Sequence, residues 1–196
     1  MIENILREFS PRFQGSTFEH IVETYAANFG PFDASPSTNG VGRNFLWEAD
    51  AQGDGTLTLV TARYGAEWDG RVTPETQEWL SILVPRTGAI NVALGGSTLE
   101  GMPGQMILVN NRQAERFFAR GEPHLSDVLR LNWTVVAQTV ATLTEVPLAG
   151  ALDLSPMVDL CTASGRLVGN LVQTIASGMR NNGPLLHSPI AMSYLT

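Results

Sequence analysis

Asn44-Phe45-Leu46-Trp47-Glu48-Ala49 and Thr56-Leu57-Thr58-Leu59-Val60-Thr61 are two short strand-like runs, and Gly53-Asp54-Gly55 between them can turn tightly, so together they predict a β-hairpin. Working downstream, similar runs recur at Trp79 to Val84, Ala89 to Leu94, Met106 to Asn110, Glu115 to Ala119 and Val128 to Trp133. Arg86-Thr87-Gly88, Gly95-Gly96, Pro103-Gly104 and Gly121-Glu122-Pro123 separate them as expected turns. Short strands at regular spacing with glycine-rich turns indicate an all-β sandwich or barrel.

Helical patterns flank this region. Upstream, Ser16-Thr17-Phe18-Glu19 has the form of a capping box, and Phe18, Ile21, Val22, Tyr25, Ala26 and Phe29 follow at helical spacing. Gly30-Pro31 ends that helix, and Pro31 to Gly42 reads as a loop. Downstream, Val135, Val136, Thr139, Val140 and Leu143 share one side of a helix ended by Pro147, and a linker runs through Gly150 and Pro156. Leu167, Val168, Leu171, Val172, Ile175, Ala176 and Met179 then trace a continuous apolar stripe, with Gly178, Asn182 and Gly183 available to close the helix. A last helix is expected from Ser188 with Pro189 in its first position, still open at Thr196.

Bulk properties narrow the function. The chain has 196 residues, room for one sizeable domain with an attachment. Its 12 basic residues are all arginine, scattered singly from Arg7 to Arg180, against 19 acidic residues and a net charge of -7. A nucleic-acid interface needs a basic stripe to displace counterions, so DNA contact is not expected from these residues. The lone Cys161 cannot form an internal disulfide and is expected as a buried apolar thiol. With no leader-like N-terminus and no long apolar run, a cytoplasmic protein without membrane contact is expected.

Catalytic patterns are missing. His20, His124 and His187 have no second histidine or cysteine at ligand spacing, so no metal or other cofactor is expected. Ser97 and Ser164 lack the glycines of a nucleophile elbow, and Gly40-Val41-Gly42 precedes a strand instead of following one. What remains is aromatic: Trp47, Tyr64, Trp68, Trp79, Phe117, Phe118 and Trp133 fall on or beside expected strands. Such rings either fill a small barrel or line a ligand cavity. Trp47, Tyr64, Trp79 and Phe117 are the candidate wall, with Arg63 and Arg116 as candidate carboxylate anchors. Core packing for the rings and surface placement for the arginines remain the plainer alternatives, because strand register is unknown.

Three stretches carry a resemblance: Ala149-Gly150-Ala151-Leu152-Asp153-Leu154-Ser155-Pro156-Met157-Val158-Asp159-Leu160, the helix from Thr162 to Arg180, and Gly183-Pro184-Leu185-Leu186-His187-Ser188-Pro189-Ile190-Ala191. Together with the order of elements, they resemble the N-terminal, AraC-binding-like domain of bacterial AraC/XylS transcription regulators. Gly101-Met102-Pro103-Gly104-Gln105-Met106-Ile107-Leu108 is similar to a cupin turn, with Gln105 where an acidic residue is usual. The resemblance implies a mainly β fold with helices: a cupin-like (jelly-roll) β-barrel preceded by one helix and followed by two or three. Residues 1–148 would form the helix and effector-binding barrel, and 149–196 a helical dimerisation and linker segment. A small-molecule effector would occupy a metal-free barrel and a DNA-reading part would lie beyond Thr196. Two protomers would pair through Leu167, Val168, Leu171, Val172, Ile175 and Met179, with Gly165 and Gly169 permitting close helix approach. A helix that merely covers the barrel stays open as an alternative, as do a metal-dependent or metal-free cupin-like enzyme and a structural module whose interior is filled by Trp47 and Trp79.

Overall fold

Two strands much longer than the sequence suggested organise the molecule. The structure, a computed structural model, describes residues 9–29, 32–37, 45–73, 78–145 and 155–188. In chain order these form β1 (Phe13–Gly15), α1 (Phe18–Phe29), β2 (Asp33–Pro36), β3 (Trp47–Gly53), β4 (Leu57–Tyr64), β5 (Trp68–Arg71), β6 (Trp79–Leu94) and β7 (Ser97–Gly101). They continue with β8 (Gln105–Asn110), β9 (Ala114–Asn132), α2 (Trp133–Thr144), β10 (Met157–Asp159), α3 (Ala163–Met179) and a 3-10 turn at Pro184–His187.

β6 and β9 pair antiparallel along their whole length and each changes its second partner halfway. The first half of β6 pairs with β8 and its second half with β7. The second half of β9 pairs with β4 and its first half with β5. Two leaves result, β1-β3-β4-β9-β6-β8-β10 and β2-β5-β9-β6-β7, sharing the two long strands. The sheet is antiparallel throughout and stays open at β1 and β10 among the described residues, a jelly-roll-like arrangement.

The shared strands bend together. Arg86-Thr87-Gly88 and Gly121-Glu122-Pro123, expected as turns, lie inside β6 and β9, where register shifts fall between Pro85 and Thr87 and between Thr87 and Ala89. Gly88 (φ 72°) and Gly121 (φ 95°) face one another at the bend. A Cβ on Gly88 would come within 2.2 Å of the Arg120 carbonyl oxygen, and one on Gly121 within 2.8 Å of Gly88 Cα. Glycine is therefore required there for both backbone conformation and space.

Each helix buries what its spacing foretold, with exceptions. α1 places Phe18, Ile21 and Tyr25 in one cluster with Phe45, Trp47 and Tyr64, while Ala26 is exposed. Its cap is Thr17, whose Oγ1 accepts the His20 amide, one residue later than the box serine. α3 lies on the outer face of the first leaf, where Ala176 and Met179 pack on Leu57, Leu59 and Leu129, and Val172 on Val84 and Met106. α2 begins at the Asn132 cap and buries Trp133, yet Thr139 and Leu143, expected on its inner side, are exposed.

Other expectations are corrected. β2 lies within the supposed loop after α1, the linker contains β10, and β1, β5 and β7 were not foreseen. Cys161 is exposed, because it sits in the turn that leads into α3. The helix expected from Pro189 onward and the stop at Pro147 lie outside the described residues.

Candidate functional site

Alternation assigns the faces of β4, β6 and β9. On β4, Val60, Ala62 and Tyr64 point between the leaves, whereas Leu57 and Leu59 point to α3. On β9, His124, Ser126, Val128 and Arg130 point inward, and so do Phe117 and Ala119 beyond the bend. With Ser81, Leu83 and Ile90 of β6, these side chains line a cavity of about 180 Å³. α1 contributes Tyr25 to its wall, and Phe32 and Trp68 close it alongside.

The walls are chiefly apolar, and besides Ser81, Asn111 and the exposed Arg71 their polar groups fall into two sets. One is a chain of neutral groups. The Tyr25 and Tyr64 hydroxyls share a hydrogen bond of 2.9 Å, and the Tyr64 ring stacks on His124 at 5.8 Å. His124 Nε2 lies 3.0 Å from Ser126 Oγ and its Nδ1 3.2 Å from the Arg120 carbonyl oxygen. That carbonyl can only accept, so Nδ1 carries the proton and Nε2 accepts from the serine hydroxyl. Burial lowers the His124 pKa, opposed by its bond to the Arg120 carbonyl. Burial also raises the Tyr25 pKa to about 12 and holds that of Tyr64 well above the phenol range.

The other set is Arg130, whose guanidinium stands 4.8 Å from the centre of the Trp79 ring. Removal from water pulls its pKa down to about 10.

The expected site residues separate. Tyr64 and Phe117 line the cavity. Trp47 is almost wholly buried behind Tyr25 in the α1 cluster, 6.2 Å from that ring, and does not line the cavity. Trp79 supports Arg130 from beside it. Arg63 and Arg116 point away from the interior: Arg63 is paired with Glu48 at 2.8 Å, and Arg116 with Asp69 at 3.4 Å. Arg130, His124, Ser126 and Tyr25 were not singled out as lining. Their inward positions depend on a register that the bend resets, and the sequence gives no sign of how far it does so.

Behind the cavity, the outward residue between Ser126 and Val128 is Asp127, which is buried. Its carboxylate accepts the Thr61 hydroxyl at 2.7 Å, is paired with Arg180 at the end of α3, and lies 3.8 Å from Arg86. β9 thus lines the cavity with one face and holds α3 with the other.

α3 divides its apolar stripe. Val172 and Met179 are buried against the chain's own sheet, so in this state they cannot meet a partner, while Leu167 (74% exposed), Val168 and Leu171 (60%) remain open. Gly165 and Gly169 also serve the chain itself, fitting against the Asp159 carbonyl and the Leu160 side chain. Among the described residues there is no group of three or more His, Cys, Asp or Glu placed to hold a metal ion, and no helix is long and apolar enough to cross a membrane.

Comparison with known proteins bears on the whole chain. No curated protein matches it in sequence. Its fold is similar to that of the AraC-like transcriptional activator CuxR, with a TM-score of 0.59 at 14% identity over 85% of this chain and 61% of that one. The chain thus spans about three-fifths of that activator's length. Looser overlaps join it to the Clostridium difficile EutQ protein (TM-score 0.36, 8% identity, 52% of this chain and 95% of that one) and the Schizosaccharomyces pombe Cnp3 cupin domain (0.37, 12%, 58% and 80%). The fold is a jelly-roll-like antiparallel sheet with helices before and after it. The model of the AraC-binding-like domain matches residues 23–195, nearly all of the sequence, and the chain belongs to that family.

Proposed function

We propose that this chain is the effector-sensing and dimerisation module of a transcription regulator, with DNA read by a domain outside this sequence. The observation that carries the reading is the double duty of β9, whose Ser126 and Val128 line the cavity while Asp127, between them, grips Arg180 of α3. A molecule that shifts this strand alters the anchorage of the helix on which Leu167, Val168 and Leu171 lie exposed. Those three residues, joined by the half-buried Ile175, form the proposed partner-facing edge.

Thermal-shift screening of small apolar compounds, combined with sedimentation velocity, tests both halves. Ligands that raise the midpoint together with a dimer lost in Leu171→Glu are the expected outcome. A monomer at high concentration that no compound stabilises would refute the proposal.

One observation favours an enzymatic alternative, the bond between His124 and Ser126 inside the cavity. A serine activated by a neutral imidazole is the minimum needed for acyl transfer. Hydrolysis of p-nitrophenyl acetate that disappears in Ser126→Ala would support it. Rates equal to buffer would dismiss it.

A further inference from the structure

Arg130 differs from the other arginines that leave solvent. Arg63, Arg86, Arg116, Arg120 and Arg180 each have a carboxylate within 4.0 Å. Arg130 has none among the described residues, although it sits half-buried in the wall of a chiefly apolar cavity. A guanidinium withdrawn from water without a counter-ion is costly, and stacking over an aromatic face returns only part of that cost. The Trp79 ring lies under the guanidinium, 4.8 Å from ring centre to its carbon, and a planar fork of N–H donors suits a bidentate carboxylate. The rest of the lining offers no competing anion: Ser81, Asn111, Ser126 and the tyrosines are neutral donors or acceptors, and Arg71, exposed at the rim, is a second cation.

We infer that the cavity takes a small apolar carboxylate, whose anion pairs with Arg130 over Trp79 and whose hydrocarbon part lies among Leu83, Ile90, Phe117 and Val128. The assignment rests on the cavity being an effector site and names the chemistry of the effector. Size limits the class further. A dry cavity of about 150 Å³ accepts benzene, so about 180 Å³ suits a single ring or a short alkyl chain bearing the acid. The chiefly apolar walls disfavour phosphorylated or sugar ligands. The depressed pKa of Arg130 agrees with an unsatisfied charge, and a bound anion would reverse it.

The test is calorimetric titration of the whole chain with benzoate and with benzyl alcohol, a neutral compound with the same ring, in wild type, Arg130→Gln and Arg130→Lys. Losing one partner of a desolvated charge pair weakens binding by more than about tenfold. Benzoate is expected to bind at least about tenfold more tightly than benzyl alcohol to wild type. Arg130→Gln should abolish that preference while leaving benzyl alcohol binding within about twofold, and Arg130→Lys should retain part of it. The ligand-free melting temperature of Arg130→Gln should equal or exceed that of wild type, because a half-buried charge without a counter-ion has been removed. A merely structural arginine would give a lower one. Benzyl alcohol binding as well as benzoate, or benzoate binding unchanged in Arg130→Gln, overturns the carboxylate assignment and leaves the cavity as a binding site. Failure of both compounds on wild type overturns the effector site itself and the assignment with it.

Discussion

Protonation at single residues is where the cavity shows itself in solution. His124 is held neutral by burial, so its folded pKa lies below the ordinary value of 6.5. Unfolding lets it take up a proton as pH falls below about 6.5. Stability linked to this residue is therefore fully present above that pH and is lost as pH drops toward the folded pKa. Denaturation midpoints measured between pH 7.5 and 5 should fall less steeply for His124→Gln than for wild type. Equal slopes would show that the imidazole is not desolvated. Tyr25 and Tyr64 give an alkaline counterpart. These two should not ionise below about pH 12 in the folded protein, and replacing both by phenylalanine should leave the rise in absorbance at 295 nm between pH 9 and 11 unchanged. Ionisation of either near pH 10 would mean that the cavity is open to water.

α3 is an element whose two sides should respond oppositely to truncation. Met179, fully buried with Leu57, Leu59 and Leu129, should cost about 2–5 kcal/mol when replaced by alanine. Leu167→Ser, on the exposed side, should change the chain's folding free energy by no more than about 0.5 kcal/mol at concentrations that favour monomer. Urea denaturation measures both, and a large loss in Leu167→Ser would place that side against the protein's own sheet. The Arg180 link can be tested in the same way. Breaking a buried ion pair costs about 3–5 kcal/mol, and Arg180→Met should approach the lower figure because Arg86 and the Thr61 hydroxyl still face Asp127. At the bend of β6, Gly88→Ala brings a methyl group against the Arg120 carbonyl oxygen, and a lower thermal midpoint is expected even though the change is a single carbon.

At the scale of the whole molecule, the layers run from α3 through the first leaf and the cavity to the second leaf, with α1 against one end of the interior. Occupancy of the cavity should accordingly be detectable at α3: hydrogen exchange of its backbone amides should slow when a ligand binds. Unchanged exchange in a saturated sample would uncouple the two. Much of this order was legible in the chain. Alternating runs with glycine-rich turns established a β fold, and the 3.6-residue stripes marked α1 and α3. These features depend on near neighbours in sequence, which local periodicity records. Which side chains face the cavity was not legible. Inward residues are odd-numbered at Ser81 and Leu83 but even-numbered at Ile90 and Val92. They are likewise odd at Phe117 and Ala119 but even at His124 and Arg130. The bend at Gly88 and Gly121 switches the parity, so Arg116 and Arg130 share a strand and a numbering parity yet lie on opposite faces. Such a switch arises from two strands packing against each other across 33 positions of chain, an interaction that has no trace in the order of residues around either glycine.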